Sequence, residues 1–130
     1  MKPFFIPLIV AGLLFINCNA QTSQKINTVT AIEFQKKLEN TSTAQLIDVR
    51  SPEEFNKEHL KNAININWNA SDFESEIKLL NKNKPVFLYC KAGGRSMKAA
   101  VKLAELGFIQ IYNLDGGIQS WNSENLPIKK

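Results

Sequence analysis

The run Pro85-Val86-Phe87-Leu88-Tyr89 constrains the fold more than any other stretch of the chain. Apolar and aromatic residues follow one another there with no polar alternation. A strand of that composition needs cover on both faces, as in the middle of a parallel sheet flanked by helices. A polar turn, residues 81–84, precedes the run, and a glycine-containing loop follows it. Whatever else the chain does, this segment is expected to lie at its centre.

Shorter strands and helix starts alternate around that centre. Thr30-Ala31-Ile32-Glu33 has the spacing of a capping box, with Val29 and Phe34 placed as the hydrophobic staple, and predicts a helix to about Leu38. Gln45-Leu46-Ile47-Asp48-Val49 reads as a buried strand. Ser51-Pro52-Glu53-Glu54 opens a second helix, with proline at its first position. Ala63-Ile64-Asn65-Ile66 alternates as a short strand, and Ser71-Asp72-Phe73-Glu74 suggests another capping box before a helix that buries Phe73, Ile77 and Leu80. Beyond the central run, Met97, Ala100, Val101 and Ala104 mark a helical face that stops at Gly107. Ile109-Gln110-Ile111-Tyr112 is the last expected strand, and Asp115-Gly116-Gly117 leads into a short helix carrying Ile118 and Trp121. Alternation of this kind predicts an α/β domain with a mostly parallel central sheet between two helical layers. With 130 residues there is room for one such domain.

The amino-terminal segment stands apart. Residues 4–16 are apolar apart from Pro7 and Gly12, follow Lys2, and give way to polar sequence at Asn17. The run is short for a membrane span and has the proportions of a secretory leader. We therefore expect residues 1–20 to be a signal peptide, residues 21–27 a tether and residues 28–130 the folded domain. Two processing routes are open. Phe15-Ile16-Asn17-Cys18 loosely resembles a bacterial lipobox, although Asn17 stands where a small residue is usual, and cleavage there would leave Cys18 lipidated. Cleavage after Ala20 is the alternative; the lipoprotein route is preferred. Either route implies export to the bacterial cell envelope, in the periplasm or lipid-anchored to a membrane. Either also leaves Cys90 as the only free thiol of the mature chain.

The chemistry concentrates in Tyr89-Cys90-Lys91-Ala92-Gly93-Gly94-Arg95-Ser96, where the central strand ends and a helix begins. Ligands bind at the carboxyl ends of strands in α/β sheets. Gly93 and Gly94 allow the loop to curl so that successive backbone N–H groups point inward, and such a nest at a helix amino terminus stabilises anions. A cysteine at its mouth should have a lowered pKa. Lys91 and Arg95 add positive charge, and Ser96 is a candidate helix cap. The net charge of +4 otherwise comes from scattered lysines without a basic block, so it does not indicate nucleic-acid binding. One histidine with one mature cysteine cannot supply a recognisable zinc set, and no metal or other cofactor is expected.

Three ordered motifs resemble those of rhodanese domains. They are the segment from Leu46 to Phe55 with His59-Leu60 and Ala63-Ile64-Asn65-Ile66, the loop Cys90-Lys91-Ala92-Gly93-Gly94-Arg95-Ser96, and Leu114-Asp115-Gly116-Gly117 with Trp121. The resemblance spans residues 28–127. It implies a three-layer α/β/α fold and a sulfurtransferase in which Cys90 takes a sulfane sulfur from a donor such as thiosulfate, carries it as a persulfide, and passes it to cyanide, a thiol or a sulfur-carrier protein. It further implies substrate contacts from Lys91, Ala92, Gly93, Gly94, Arg95 and Ser96. Arg95 either binds the donor or holds the loop through a carboxylate, with Asp48 the expected partner. Asp48 and Arg50 are supporting residues, Arg50 at the rim or fixing a turn, and His59 is structural. Lys61-Asn62 departs from the family's usual Pro-Gly turn.

Other functions fit less well. The related cysteine loop of phosphatases and arsenate reductases carries one more residue, whereas four residues separate Cys90 from Arg95 here. Non-catalytic rhodanese-like binding modules typically lose the cysteine. A relay that draws sulfur from a partner protein remains as an alternative.

Overall fold

The computed structural model describes residues 2–4, 7, 12 and 25–130. Most of the apolar leader, the processing positions Cys18 and Ala20, and tether residues 21–24 lie outside the described residues. Five strands, β1 (Ile26–Val29), β2 (Gln45–Asp48), β3 (Ile64–Asn65), β4 (Val86–Tyr89) and β5 (Ile111–Leu114), form one sheet in the order β1-β5-β4-β2-β3. All pairings are parallel. Between them run α1 (Ala31–Glu39), α2 (Pro52–Lys57), α3 (Phe73–Ile77) and α4 (Gly94–Glu105), with α5 (Gly117–Ser123) after β5.

Strand β4 lies between β2 and β5, and all four of its residues are fully buried. Its alternate side chains serve two different cores. Val86 and Leu88 join Ile47, Phe73, Ile77, Ala99, Leu103 and Phe108 beneath α3 and α4. Phe87 and Tyr89 join Phe34, Leu46, Leu114, Ile118 and Trp121 beneath α1 and α5. Phe34 meets the Phe87 ring edge-on, with centroids 5.2 Å apart. The expected helix–sheet–helix layering is the observed one, and the sheet is wholly parallel.

Local differences have physical causes. Strand β1 begins inside the segment read as tether, because its pairing with β5 comes from the far end of the chain. The last strand starts two residues later than expected. Phe108 turns inward after Gly107, which holds a φ of 96°, so Ile109 is left half exposed and pairing begins at Ile111. Helix α4 buries Ser96, Ala99, Ala100, Leu103 and Ala104, while Met97 and Val101 are 36% and 42% exposed. Two apolar stripes were available, and the one with smaller residues lies against the sheet. Ser71 does not cap α3. The chain is already turning there, and Asp72 is the N-cap without a side-chain bond. Thr30 does accept the Glu33 N–H at 3.3 Å, and Ser51 and Glu54 make a reciprocal capping box. Asn62 adopts a φ of 69°, a left-handed conformation that asparagine tolerates better than most residues, in the turn that departs from Pro-Gly.

Candidate active site

The connections leaving β2 and β4 diverge. The chain after β2 goes to the edge strand β3, whereas the chain after β4 goes to β5 on the other side. Adjacent strands with diverging connections open a crevice at their carboxyl ends. Cys90 follows β4 directly at that point and is 1% exposed. Its Sγ accepts the Gly93 N–H at 3.0 Å. Gly93, at φ 110°, is the N-cap of α4, and no side chain caps the helix. Cap geometry therefore leaves backbone donors directed at the cysteine.

Burial by itself pushes the Cys90 thiol pKa up. Hydrogen bonds from the Ser96 side chain and from the Ser96, Gly93 and Ala92 backbones outweigh it, and the result lies below the ordinary thiol value. Ser96 is fully buried, and its hydroxyl also stands 3.1 Å from the Gly93 carbonyl oxygen. Having one proton, it can donate to that oxygen or to the sulfur, not to both. Ser96 thus sits inside the first turn of α4 and does not cap it.

The reverse side of the loop is held by α5. Ile118 N–H donates to the Cys90 carbonyl at 2.9 Å and Gln119 N–H to the Lys91 carbonyl at 3.1 Å. A Cβ added at Gly117 would lie 2.5 Å from the Cys90 oxygen and 2.4 Å from the Lys91 oxygen. Gly117 therefore permits a close approach that turns two carbonyls toward α5. The Gly116-Gly117 pair was the sequence signal for it, but not for which backbone it would meet.

Arg95 is held by a carboxylate, but not by Asp48. Its guanidinium donates to both Glu54 oxygens, at 2.7 and 3.0 Å. The Arg95 hydrogen bonds are the main reason that the Glu54 carboxyl is held down at about 2. Asp48 is instead fully buried and accepts from the Arg50 backbone N–H and its guanidinium, with the closest contact at 2.7 Å. Arg50 also donates to the Glu58 carbonyl at 2.7 Å and lies over the Tyr89 ring. It fixes the turn after β2. Asp48 precedes Arg50 by two residues and matches its fork locally, which leaves the more distant Arg95 for α2. The role of Glu54 was not legible in the sequence, because its capping-box spacing accounts for the residue without any loop partner.

His59 stacks on Phe55, with centroids 3.9 Å apart, and its Nδ1 lies 2.9 Å from the Phe55 carbonyl oxygen. Its backbone pairs with Lys129. Lys91 and Ala92 are exposed at the loop surface. Beside the loop a groove of about 460 Å³ is lined by Arg50, Glu54, Lys57, Glu58, Lys91 and Lys130. Among the described residues no group of three or more His, Cys, Asp or Glu side chains is arranged to hold a metal ion.

The family model for the rhodanese-like domain matches residues 30–124. Thiosulfate sulfurtransferase GlpE of Vibrio cholerae is 33% identical over 80% of this chain and 91% of its own length. A sulfurtransferase of Allochromatium vinosum is 30% identical, covering 79% and 94%. Among solved structures, a rhodanese-like domain protein of Staphylococcus aureus superposes with a TM-score of 0.65 at 31% identity, over 80% of this chain and 99% of that one. A rhodanese-related protein of Thermoplasma volcanium gives 0.69 at 29%, over 79% and 97%. The chain belongs to the rhodanese-like domain family.

Proposed function

We propose that this protein moves a sulfane sulfur from a donor such as thiosulfate to a thiophilic acceptor through a persulfide on Cys90. The observation that carries the reading is the Cys90 sulfur receiving the Gly93 N–H at 3.0 Å at the open start of α4. The thiolate attacks the outer sulfur of thiosulfate. A bond forms to Sγ as the donor S–S bond breaks, and its electron pair leaves with sulfite. The terminal sulfur of the persulfide is an anion in the field that stabilised the thiolate, with the backbones of Ala92, Gly93 and Gly94 as its cradle. Cyanide, a thiol or a carrier protein then attacks that sulfur and restores the Cys90 thiolate. Lys91 draws the anionic donor, Ser96 tunes the thiol, and Arg95 holds the loop through Glu54. Asp48 and Arg50 brace the neighbouring turn.

Thiocyanate formation from thiosulfate and cyanide tests this reading. Cys90→Ser should abolish turnover, by about a thousandfold or more, as removal of other covalent nucleophiles does. Intact mass should show a gain of one sulfur atom on the wild-type chain after exposure to donor. If no donor adds sulfur, or the variant turns over like the wild type, Cys90 is not the nucleophile. Sulfur gained from a protein persulfide but not from thiosulfate would identify the relay form of the same chemistry.

We also propose that residues 1–20 direct export to the bacterial cell envelope, with Cys18 as the lipidation site. The short apolar stretch between Lys2 and Asn17 supports this. Intact mass of the protein from its native envelope would show a diacylglyceryl adduct on a chain beginning at Cys18. A chain beginning at Gln21 would indicate ordinary cleavage, and retention of Met1 would refute both.

A further inference from the structure

We propose that the face formed at the amino ends of the strands is a membrane-docking surface, which seats the domain on an anionic lipid leaflet with the Cys90 loop turned away from it. The proposal goes beyond the sulfur-transfer reading, and its anchor rests on the lipidation of Cys18 put forward above. The chain enters the sheet at this face. The Lys25 carbonyl accepts the Ile111 N–H at 2.9 Å, just before β1 begins at Ile26. Cys18 lies seven positions before Lys25, and an extended chain of that length reaches at most about 25 Å. A lipid on Cys18 therefore keeps the amino ends of the strands within that distance of the leaflet. The Cys90 loop lies at the opposite end of the same parallel strands.

Lysines that are scattered in the sequence are gathered here by the fold. The face is made by Lys25 and by the connections α1–β2 (residues 40–45), α3–β4 (78–85) and α4–β5 (106–111). Ile109 N–H donates to the Lys82 carbonyl at 3.2 Å, and Val86 N–H to the Gln110 carbonyl at 3.0 Å. The Gln45 side chain exchanges bonds with the Asn81 backbone at 2.8 and 2.9 Å. These segments carry Lys25, Lys78, Lys82 and Lys84 and no Asp or Glu. Lys78 is partly neutralised by Glu74 at 3.7 Å, whereas Lys25, Lys82 and Lys84 form no ion pair among the described residues. The last turns of the helices leading in carry Glu39, Glu76 and Glu105, matched by Lys36, Lys37 and Lys102, and so leave that excess unchanged.

The same face exposes two large apolar side chains, Leu79 at 87% and Ile109 at 55%. Core packing does not account for Leu79, because Phe73, Ile77 and Leu80 fill the space beneath α3. Apolar side chains among unpaired lysines match an anionic lipid interface. The aliphatic groups enter the boundary of the acyl chains while the ammonium groups meet phosphates. Docked in this way, the domain keeps its active loop open to donors and acceptors in solution.

The test uses the protein isolated from its native envelope and added to vesicles of phosphatidylcholine, alone or mixed equally with phosphatidylglycerol. Lysines are acylated with a water-soluble amine reagent and located by peptide mass, with Lys57 and Lys91 beside the active loop as internal controls. Anionic vesicles should slow acylation of Lys82 and Lys84 relative to the controls by about fivefold, the scale of one lysine at such a surface. Added salt should remove the difference. Leu79→Glu, at a position the core does not use, should return the ratio to its value with neutral vesicles. Equal ratios with the two vesicle types, or shielding that Leu79→Glu leaves intact, overturns the docking surface. Shielding with both vesicle types that grows with protein density means that a second copy covers the face, and overturns the lipid assignment. If mass shows no lipid on the chain, the lipidation reading fails by itself. Shielding by anionic vesicles alone would then still support the docking surface, and its absence would overturn both.

Discussion

The hydrogen bonds that lower the Cys90 thiol pKa come mostly from backbone, so the residues that matter around it are those that fix backbone position. Gly117 is the sharpest case. Its φ of 59° and the 2.4–2.5 Å approach to the Cys90 and Lys91 carbonyls leave no space for a methyl group. Gly117→Ala should destabilise the fold by about 3 kcal/mol, combining overpacking with left-handed strain. It should also lower sulfur transfer beyond what the lost stability explains, measured as activity well below the unfolding transition. Gly94 is the control, because a Cβ added there would meet nothing within 4 Å and its φ is not positive. Alanine at that position should change stability by less than about 0.5 kcal/mol. Glu54 gives a pH signature. Its folded carboxyl titrates at about 2, below its ordinary 4.5. Its contribution is therefore complete above about pH 4.5 and is lost as pH falls toward 2. Thermal unfolding midpoints of wild type and Glu54→Gln should converge across that window, and a constant gap would contradict the pairing with Arg95.

Helix α4 shows at the element scale how packing selects among apolar stripes. Ala99 and Ala100 let the helix axis approach the sheet, and Leu103 joins Val86, Leu88 and Ile111 in the core beneath the helix. Leu103→Ala should cost about 3 kcal/mol in urea unfolding, the range for a fully buried leucine. Val101→Ala, at a position 42% exposed, should stay within about 0.5 kcal/mol. Equal losses at the two positions would mean that the helix turns its Met97–Val101 stripe to the sheet. The rotation matters for chemistry, since it puts Ser96 inward beneath the loop and Met97 outward. Helix α2 has a comparable double role. Its capping box holds Glu54 by Ser51 while the same carboxylate grips Arg95, so one short helix ties the turn after β2 to the loop after β4.

Across the whole molecule the parallel order puts the carboxyl ends of all five strands on one edge of the sheet. The turn after β2, the loop after β4 and the Gly-Gly turn after β5 meet there by construction. Local stability should grade outward from the middle strand. Amide hydrogen exchange should be slowest in β4, whose residues are all fully buried, and fastest in β1 and the two-residue β3 at the sheet edges. Faster exchange in β4 than in β1 would show that the central strand is not the core of the cooperative unit. The active loop is then anchored to the most protected strand on one side and to α4 on the other, a rigid setting for a cradle of backbone donors.

The central apolar run, the helix caps at Thr30 and Ser51, and the Cys90 loop were legible in the sequence because each is a local pattern. An apolar strand demands cover, a serine three residues before glutamate starts a helix, and two glycines after a cysteine allow backbone donors to converge. These were enough to indicate an α/β fold and to single out Cys90 as the proposed nucleophile. Tertiary structure decided what depends on residues distant in the chain. It chose Glu54 rather than Asp48 for Arg95, rotated α4 by its contact with the sheet, drew Ile26 and Asn27 into an edge strand, and brought Gly117 against the Cys90 carbonyl. Each of those outcomes compares partners that compete for the same carboxylate, face or space, and only the folded chain brings the competitors together.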